Sequence, residues 1–165
     1  MSGPPRFRVG HGIDVHPLVA GRPLVLGGVT VPFELGLAGH SDADVVAHAA
    51  CDALLGAAGL DDLGSQFRAD DPRWSGVSSM ELCRRVAKLV AGAGWAVGNL
   101  TVTVLCDRPR LAGLVDGMAA NLAGAFGLAG DQVRVTPKAS EGLGFTGRGE
   151  GIAASAVCLV VAAGG

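Results

Sequence analysis

Residues 7–17 read Phe-Arg-Val-Gly-His-Gly-Ile-Asp-Val-His-Pro. Phe7 to His16 alternates in the manner of an extended strand, and period two then puts Asp14 and His16 on one face. Leu24 to Gly27 and Val29 to Phe33 predict a hairpin turning at Gly27-Gly28. From Ser41 to about Ala58 the pattern is helical: Ser41 can cap the backbone, and Asp42 and Asp44 sit where the helix dipole favours negative charge. Asp61 to Trp74 reads as polar loop. Ser78-Ser79-Met80-Glu81 is a capping-box pattern opening a helix to about Ala93. Val97 to Cys106 is a strand rich in β-branched residues, and Pro109 or its neighbour opens a helix ending near Gly127. Val133 to Val135 and Ile152 to Val160 are strands, the second a continuous apolar run of the buried type. This alternation predicts an α/β (α+β) fold, a mixed β-sheet packed against helices.

A chain of 165 residues is most simply one domain, 1–165, able to bury roughly two-thirds of its unfolded surface. With 49% hydrophobic and 17% charged residues it is oily, yet Ile152 to Ala162 is its longest apolar run, short of the ~20 residues of a membrane span. No membrane partner is expected; surface buried between subunits accounts better for the composition. A formal charge of −2 with scattered arginines argues against nucleic acid. Met1 to Phe7 lacks the apolar core of a signal peptide, so a cytoplasmic location is expected. Cys51, Cys83, Cys106 and Cys158 form no Cys-x-x-Cys pair and read as small buried hydrophobes.

Three candidate metal ligands stand out: Asp14, His16 and His48. One carboxylate and two imidazoles are one short of a closed tetrahedral zinc site, leaving a position for water or substrate. On the expected helix, Asp44, His48 and Asp52 follow at intervals of four and share one stripe, so either carboxylate is a candidate to orient the imidazole. A solvated or core histidine is the plainer alternative, and spacing alone does not bring strand and helix together.

The run from Lys138 to Gly151, KASEGLGFTGRGEG, is glycine-rich without being a Walker loop or a dinucleotide fingerprint. Lys138, Ser140 and exposed amides suit phosphate, and Glu141 suits a hard cation such as Mg²⁺; an ordinary series of tight turns is the alternative. Cys106-Asp107-Arg108-Pro109-Arg110-Leu111 suits an anion beside a helix start, or is a plain strand-to-helix connection.

Taken together, GHGIDVHPL, AGHSDADVVAHAACDALLGAAGL, DDLGSQF and GLGFTGRGEG resemble the 2-C-methyl-D-erythritol 2,4-cyclodiphosphate synthase family, in order from Arg8 to about Ala162. The resemblance implies a homotrimer with intersubunit active sites. It further implies metal-assisted attack of a 2-phosphate on a β-phosphate, with release of CMP. By this likeness Asp14, His16 and His48 match zinc ligands, and Glu141 matches the ligand of a second cation, Mg²⁺ or Mn²⁺. His40 and Ser41 match a loop closing on the phosphates; Asp62 and Gly64 match contacts to the methylerythritol portion. Pro109, Arg110, Leu111 and Ala112, with Lys138, Ala139 and Ser140, match the segments that hold the cytidine diphosphate. Phe145 falls within the signature run, and Arg148 and Glu150 match residues facing the trimer axis, where some members bind an isoprenoid diphosphate. Two departures stand out: Ala139 replaces the usual threonine, for which Ser140 or backbone amides are the candidate substitutes, and Arg110 replaces a common lysine. A zinc-dependent phosphoester hydrolase and a non-catalytic isoprenoid-diphosphate-binding trimer are the alternative functions.

Overall fold

The computed structural model describes residues 6–164. Strand β1 (Phe7–Ala20) leads into β2 (Leu24–Leu26), β3 (Val29–Val31) and β4 (Leu35–Leu37). Helices α1 (Val45–Ala58), α2 (Leu63–Gln66) and α3 (Ser79–Gly92) follow. Then come β5 (Trp95–Leu105), α4 (Val115–Phe126), β6 (Val133–Lys138), α5 (Gly144–Gly147) and β7 (Gly151–Ala162). The main sheet runs β4-β1-β7-β5-β6, with β5 and β6 parallel and the other pairs antiparallel; β2 and β3 form a separate hairpin. The fold is therefore mixed α/β, as the alternation of patterns indicates.

Alanine and glycine bring sheet and helix close. A Cβ on Gly10 would lie 1.9 Å from the Ala53 carbonyl oxygen, and one on Gly12 would lie 2.1 Å from that of Ala49. Only glycine lets α1 lie directly on β1. The face of α1 toward the sheet, with Ala49, Ala50, Ala53 and Ala57, is small enough to match. Below it, Ile152, Ala154, Ala156, Cys158 and Val160 of β7 are buried toward the helices. This close approach holds β1 and α1, the elements that carry Asp14, His16 and His48, in fixed register.

The opposite face of the sheet is uncovered. Phe7, Val9 and Ile13 are 61%, 65% and 64% exposed, beside Val15, Val157 and Val161. The continuous apolar run at the C-terminal end is thus buried on one face only within a single chain.

Several expected boundaries move. Ser41 does not cap α1; Asp44 does, its carboxylate accepting from the amides of Val46 and Ala47, because residues 38–44 pack as an irregular loop and helical geometry begins at Val45. β1 runs on to Ala20, pairing Leu18–Ala20 with β4, a three-residue strand too short to register as a pattern. The polar loop after Asp61 contains α2 and a short 3-10 turn at Pro72–Trp74. Ser78 caps α3, but no capping box closes, because Glu81 pairs with Arg85 at 3.0 Å instead of reaching back. No helix opens at Pro109: the chain stays tied to β6 through the Cys106 amide and the Lys138 carbonyl (2.8 Å), and α4 begins at Val115. α5, four residues long, lies inside the glycine-rich run. The hairpin turn at Gly27-Gly28 forms, with both φ angles positive. Among the described residues, no helix is long and apolar enough to cross a membrane.

Candidate functional site

Strand β1 carries Asp14 and His16 on the face that holds Gly10 and Gly12, and α1 carries His48 over it. The three side chains converge. His16 Nε2 lies 2.8 Å and His48 Nδ1 3.2 Å from Asp14 Oδ2, and the two ring nitrogens are 3.3 Å apart. Asp14 Oδ2 is buried, and neither imidazole approaches it with hydrogen-bond geometry, so it is an oxygen without a donor. Burial works to raise the Asp14 pKa, but once His16 and His48 carry protons on the nitrogens that face it, their imidazoles outweigh burial and lower the carboxyl to about 2.

This donor set fits a divalent cation. Ligands at tetrahedral angles with bonds of about 2.0–2.1 Å stand roughly 3.3–3.4 Å apart, near the 3.2 and 3.3 Å separations around His48. Each imidazole is also aimed by its other nitrogen. His16 Nδ1 donates to the Ala38 carbonyl at 2.7 Å, leaving Nε2 toward Asp14, and His48 Nε2 contacts the hydroxyls of Ser79 (2.9 Å) and Ser41 (3.2 Å). The Asp14 partner raises the His16 pKa; burial opposes it.

The two acidic neighbours of His48 on α1 do not orient it, contrary to the shared-stripe expectation. Asp44 is fully buried and accepts from the amides of Gly27 (2.8 Å), Gly28 (2.7 Å), Val46 and Ala47 (3.1 Å each). Asp52 accepts from the Leu63 amide at 2.8 Å and so ties α2 to α1. The hydroxyls at His48 take the place assigned to those carboxylates.

A cavity of about 330 Å³ opens beside Asp14, His16 and His48, lined also by His40, Ser41, Gly64, Phe67 and Trp74. Asp62 does not line it; it caps α2, whose Leu63 and Gly64 do, and accepts from the Ser65 amide. Arg22, which sequence patterns do not single out, donates to the carbonyls of Gly39 (2.7 Å) and Ser41 (2.8 Å) and so holds the loop carrying His40.

The glycine-rich run forms a second cluster. Asp107, at the end of β5, accepts from the Ser140 hydroxyl and from the amides of Ser140 (2.7 Å) and Gly142 (2.9 Å). These bonds flank Glu141, held at φ 56°, a left-handed conformation costly for a residue with a Cβ. Ser140 also accepts from Thr146 at 2.7 Å, so its hydroxyl bonds to Asp107 and Thr146 within the loop. Lys138 pairs with Leu105 where β5 and β6 end, and its carbonyl accepts from the Cys106 amide at 2.8 Å, so Ala139 follows at the start of the 106–112 connection. Leu111 is buried and anchors its loop, Pro109, Arg110 and Ala112 lie in the same connection, and Phe145 is half-exposed on α5. Arg148 pairs with Glu150 at 2.7 Å on the surface.

The clusters sit apart. Asp14 pairs with Ala154, Ala154 with Val104 and Val104 with Pro137, three strand spacings or about 14 Å across the sheet. None of residues 109–112 or 138–141 lines the cavity at Asp14.

The 2-C-methyl-D-erythritol 2,4-cyclodiphosphate synthase of Burkholderia thailandensis is 53% identical over 155 residues, 94% of this chain and 96% of that protein. A solved 2C-methyl-D-erythritol-2,4-cyclodiphosphate synthase in its CDP-bound form matches with a TM-score of 0.85 and 37% identity, over 93% of this chain and 99% of that one. The bifunctional IspDF from Campylobacter jejuni matches with a TM-score of 0.91 and 35% identity; 94% of this chain covers 42% of that longer one. The model of the YgbB family matches residues 7–161. With nearly its whole length matched in sequence and in fold, the chain belongs to the YgbB family.

Proposed function

We propose that this chain is a phosphorus–oxygen lyase that converts 4-diphosphocytidyl-2-C-methyl-D-erythritol 2-phosphate to 2-C-methyl-D-erythritol 2,4-cyclodiphosphate and CMP. The observation that carries the reading is the buried, donorless Asp14 Oδ2 between two imidazoles at the mouth of a cavity, in a chain 53% identical to a protein of that name. An oxygen of the 2-phosphate forms a bond to the β-phosphorus, and the bond from that phosphorus to the bridging oxygen breaks. CMP leaves with the electron pair. The substrate supplies its own nucleophile, so the protein's task is to fold a polyanion on itself and balance its charge.

Asp14, His16 and His48 are the residues to hold Zn²⁺ or another divalent transition metal, and Glu141 is the ligand for Mg²⁺ or Mn²⁺ at the diphosphate. Bound there, such cations supply Lewis-acid stabilisation of phosphoryl charge. Lys138 and Arg110 bring positive charge to the nucleotide's phosphates beside the amides of Ala139 and Ser140. Pro109, Leu111, Ala112 and Phe145 shape that pocket. His40 and Ser41 close over the phosphates, while Asp62 and Gly64 meet the methylerythritol part.

The residues act as a homotrimer of single domains spanning 1–165. The uncovered face with Phe7, Val9, Ile13 and Val15 is large and apolar for a free surface, and further copies of the chain are its occupants. Assembly brings the metal cluster of one subunit to the glycine-rich cluster of the next, which reconciles their separation within one chain. Arg148, next to Glu150, is the group to hold an isoprenoid diphosphate on the axis. A cytoplasmic location goes with a small-molecule nucleotide substrate.

Incubation with the cytidine diphosphate substrate and divalent metal tests this directly: CMP and a cyclic diphosphate, resolved by phosphorus NMR, are expected in equal amounts. A linear phosphate product would make the protein a hydrolase, and absence of CMP would make it a binding protein. Ile13→Asp tests the assembly. Light scattering is expected to show monomers in place of trimers, with activity lost; a trimeric, active variant would refute the interface.

A further inference from the structure

His48 is held differently from His16. The Ala38 carbonyl, 2.7 Å from His16 Nδ1, can only accept, so it fixes the proton on that nitrogen by itself. The outer nitrogen of His48 faces hydroxyls, which donate or accept: Ser79 Oγ at 2.9 Å and Ser41 Oγ at 3.2 Å. What sets the direction is Asp42. Its carboxylate receives the Ser79 hydroxyl and, at 3.0 Å, the Ser79 amide. An ionised carboxylate only accepts, so the Ser79 proton points to Asp42 and an oxygen lone pair is left for His48. Ser79 is fully buried, which keeps water from competing for it.

The chain of bonds then runs one way. His48 Nε2–H donates to Ser79 Oγ, and Ser79 O–H donates to Asp42. Nδ1 is left without a proton, 3.2 Å from Asp14 Oδ2 and 3.3 Å from His16 Nε2. A metal-bound imidazole is most often oriented by a carbonyl or a carboxylate. Here the carboxylate acts through a buried serine, which draws together α1, α3 and the loop that carries His40. We propose that Ser79, backed by Asp42, is the positioning pair that selects the Nδ1-ligating form of His48 and thereby sets the affinity of the Asp14/His16/His48 centre for zinc. This rests on the zinc reading given above.

Zinc titration of the metal-free protein against a chromophoric chelator tests the pair without recourse to turnover. The wild type is expected to bind one zinc per chain, and Ser79→Ala to bind it about 10–100-fold more weakly, the usual cost of losing a partner of a ligating histidine. Ser79→Thr keeps the hydroxyl and should restore wild-type affinity. Asp42→Asn should weaken zinc in the same direction as Ser79→Ala, and carries the test if the latter does not fold. Long-range proton–nitrogen NMR of the metal-free protein, at a pH where both imidazoles are neutral, should show His48 protonated at Nε2 in the wild type and as a mixture of tautomers in Ser79→Ala. A serine serving packing alone would lower the melting temperature and leave zinc affinity and tautomer unchanged, which would overturn the proposal. A wild type that binds no zinc would overturn the metal centre itself, whereas zinc bound equally by wild type and variants would overturn only the role of Ser79 and Asp42.

Discussion

His48→Ala is expected to abolish stoichiometric zinc binding and to lower cyclisation by about a thousandfold or more, while the protein stays folded and keeps the oligomeric state of the wild type. The size follows from the charge that the cation has to offset. Metal stabilisation of a phosphoryl transition state is worth several kcal/mol, and each ~1.4 kcal/mol is tenfold in rate. Losing one of three protein ligands leaves Asp14 and His16 alone, 2.8 Å apart, a chelate too small to hold a cation against water. Folding should survive because His48 is only partly buried and alanine is the best helix former for α1. Zinc content by mass spectrometry, CMP release and light scattering together decide the matter. A variant with wild-type zinc and rate would refute the ligand assignment, and one that is inactive but monomeric would show that the histidine serves assembly instead.

The elements behind this prediction were largely legible in the chain. The alternation through Phe7–His16 yields β1, and with it the shared face of Asp14 and His16, because strand periodicity is a local property. Helix α1 is visible in its apolar positions, but the meeting of His48 with the strand is not: only the structure shows that the missing side chains of Gly10 and Gly12 admit the helix. What escaped was every partner made across a long loop. Ser79 reaches His48 from 31 residues away, and Asp107 clamps a loop 33 residues on; nothing in the sequence around either residue encodes the contact. Arg22 is similar: an isolated arginine gives no hint that two carbonyls of a distant loop will bind it.

Pro109 shows the opposite error, in which a valid local preference loses. Proline suits the first turn of a helix, yet here the chain is held to β6 by the Cys106 amide and by the bonds to Asp107, and the helix waits until Val115. The uncovered sheet face is a third case. Composition signalled excess apolar surface, but only the register of β1 against β7 shows that Ile13, Val15 and Val157 gather on one side.

Asp44→Ala should have the largest effect on stability, about 3–5 kcal/mol, although this residue touches neither imidazole. Its carboxylate is fully buried and receives four backbone amides, two from the hairpin turn at Gly27-Gly28 and two from the first turn of α1. Loss of a helix cap costs about 1 kcal/mol, and each buried amide left without an acceptor costs about 1–3 kcal/mol. Burial pushes the Asp44 carboxyl pKa up while the amides of Gly28, Ala47 and Gly27 pull it down, so the group depends on those bonds being made. Asp44→Asn separates bonding from charge. Its carbonyl can still accept from Gly27, Val46 and Ala47, but its amide would face the Gly28 N–H donor to donor, so a smaller loss is expected. Urea unfolding at fixed protein concentration, read through the midpoint at constant slope, measures both. The loss in Asp44→Ala would be a large share of the 5–15 kcal/mol typical of a folded domain, so cyclisation should fail with the fold and not at constant structure, the reverse of His48→Ala. A stable Asp44→Ala protein without activity would instead place Asp44 in the chemistry and undo the assignment made from its four amide bonds.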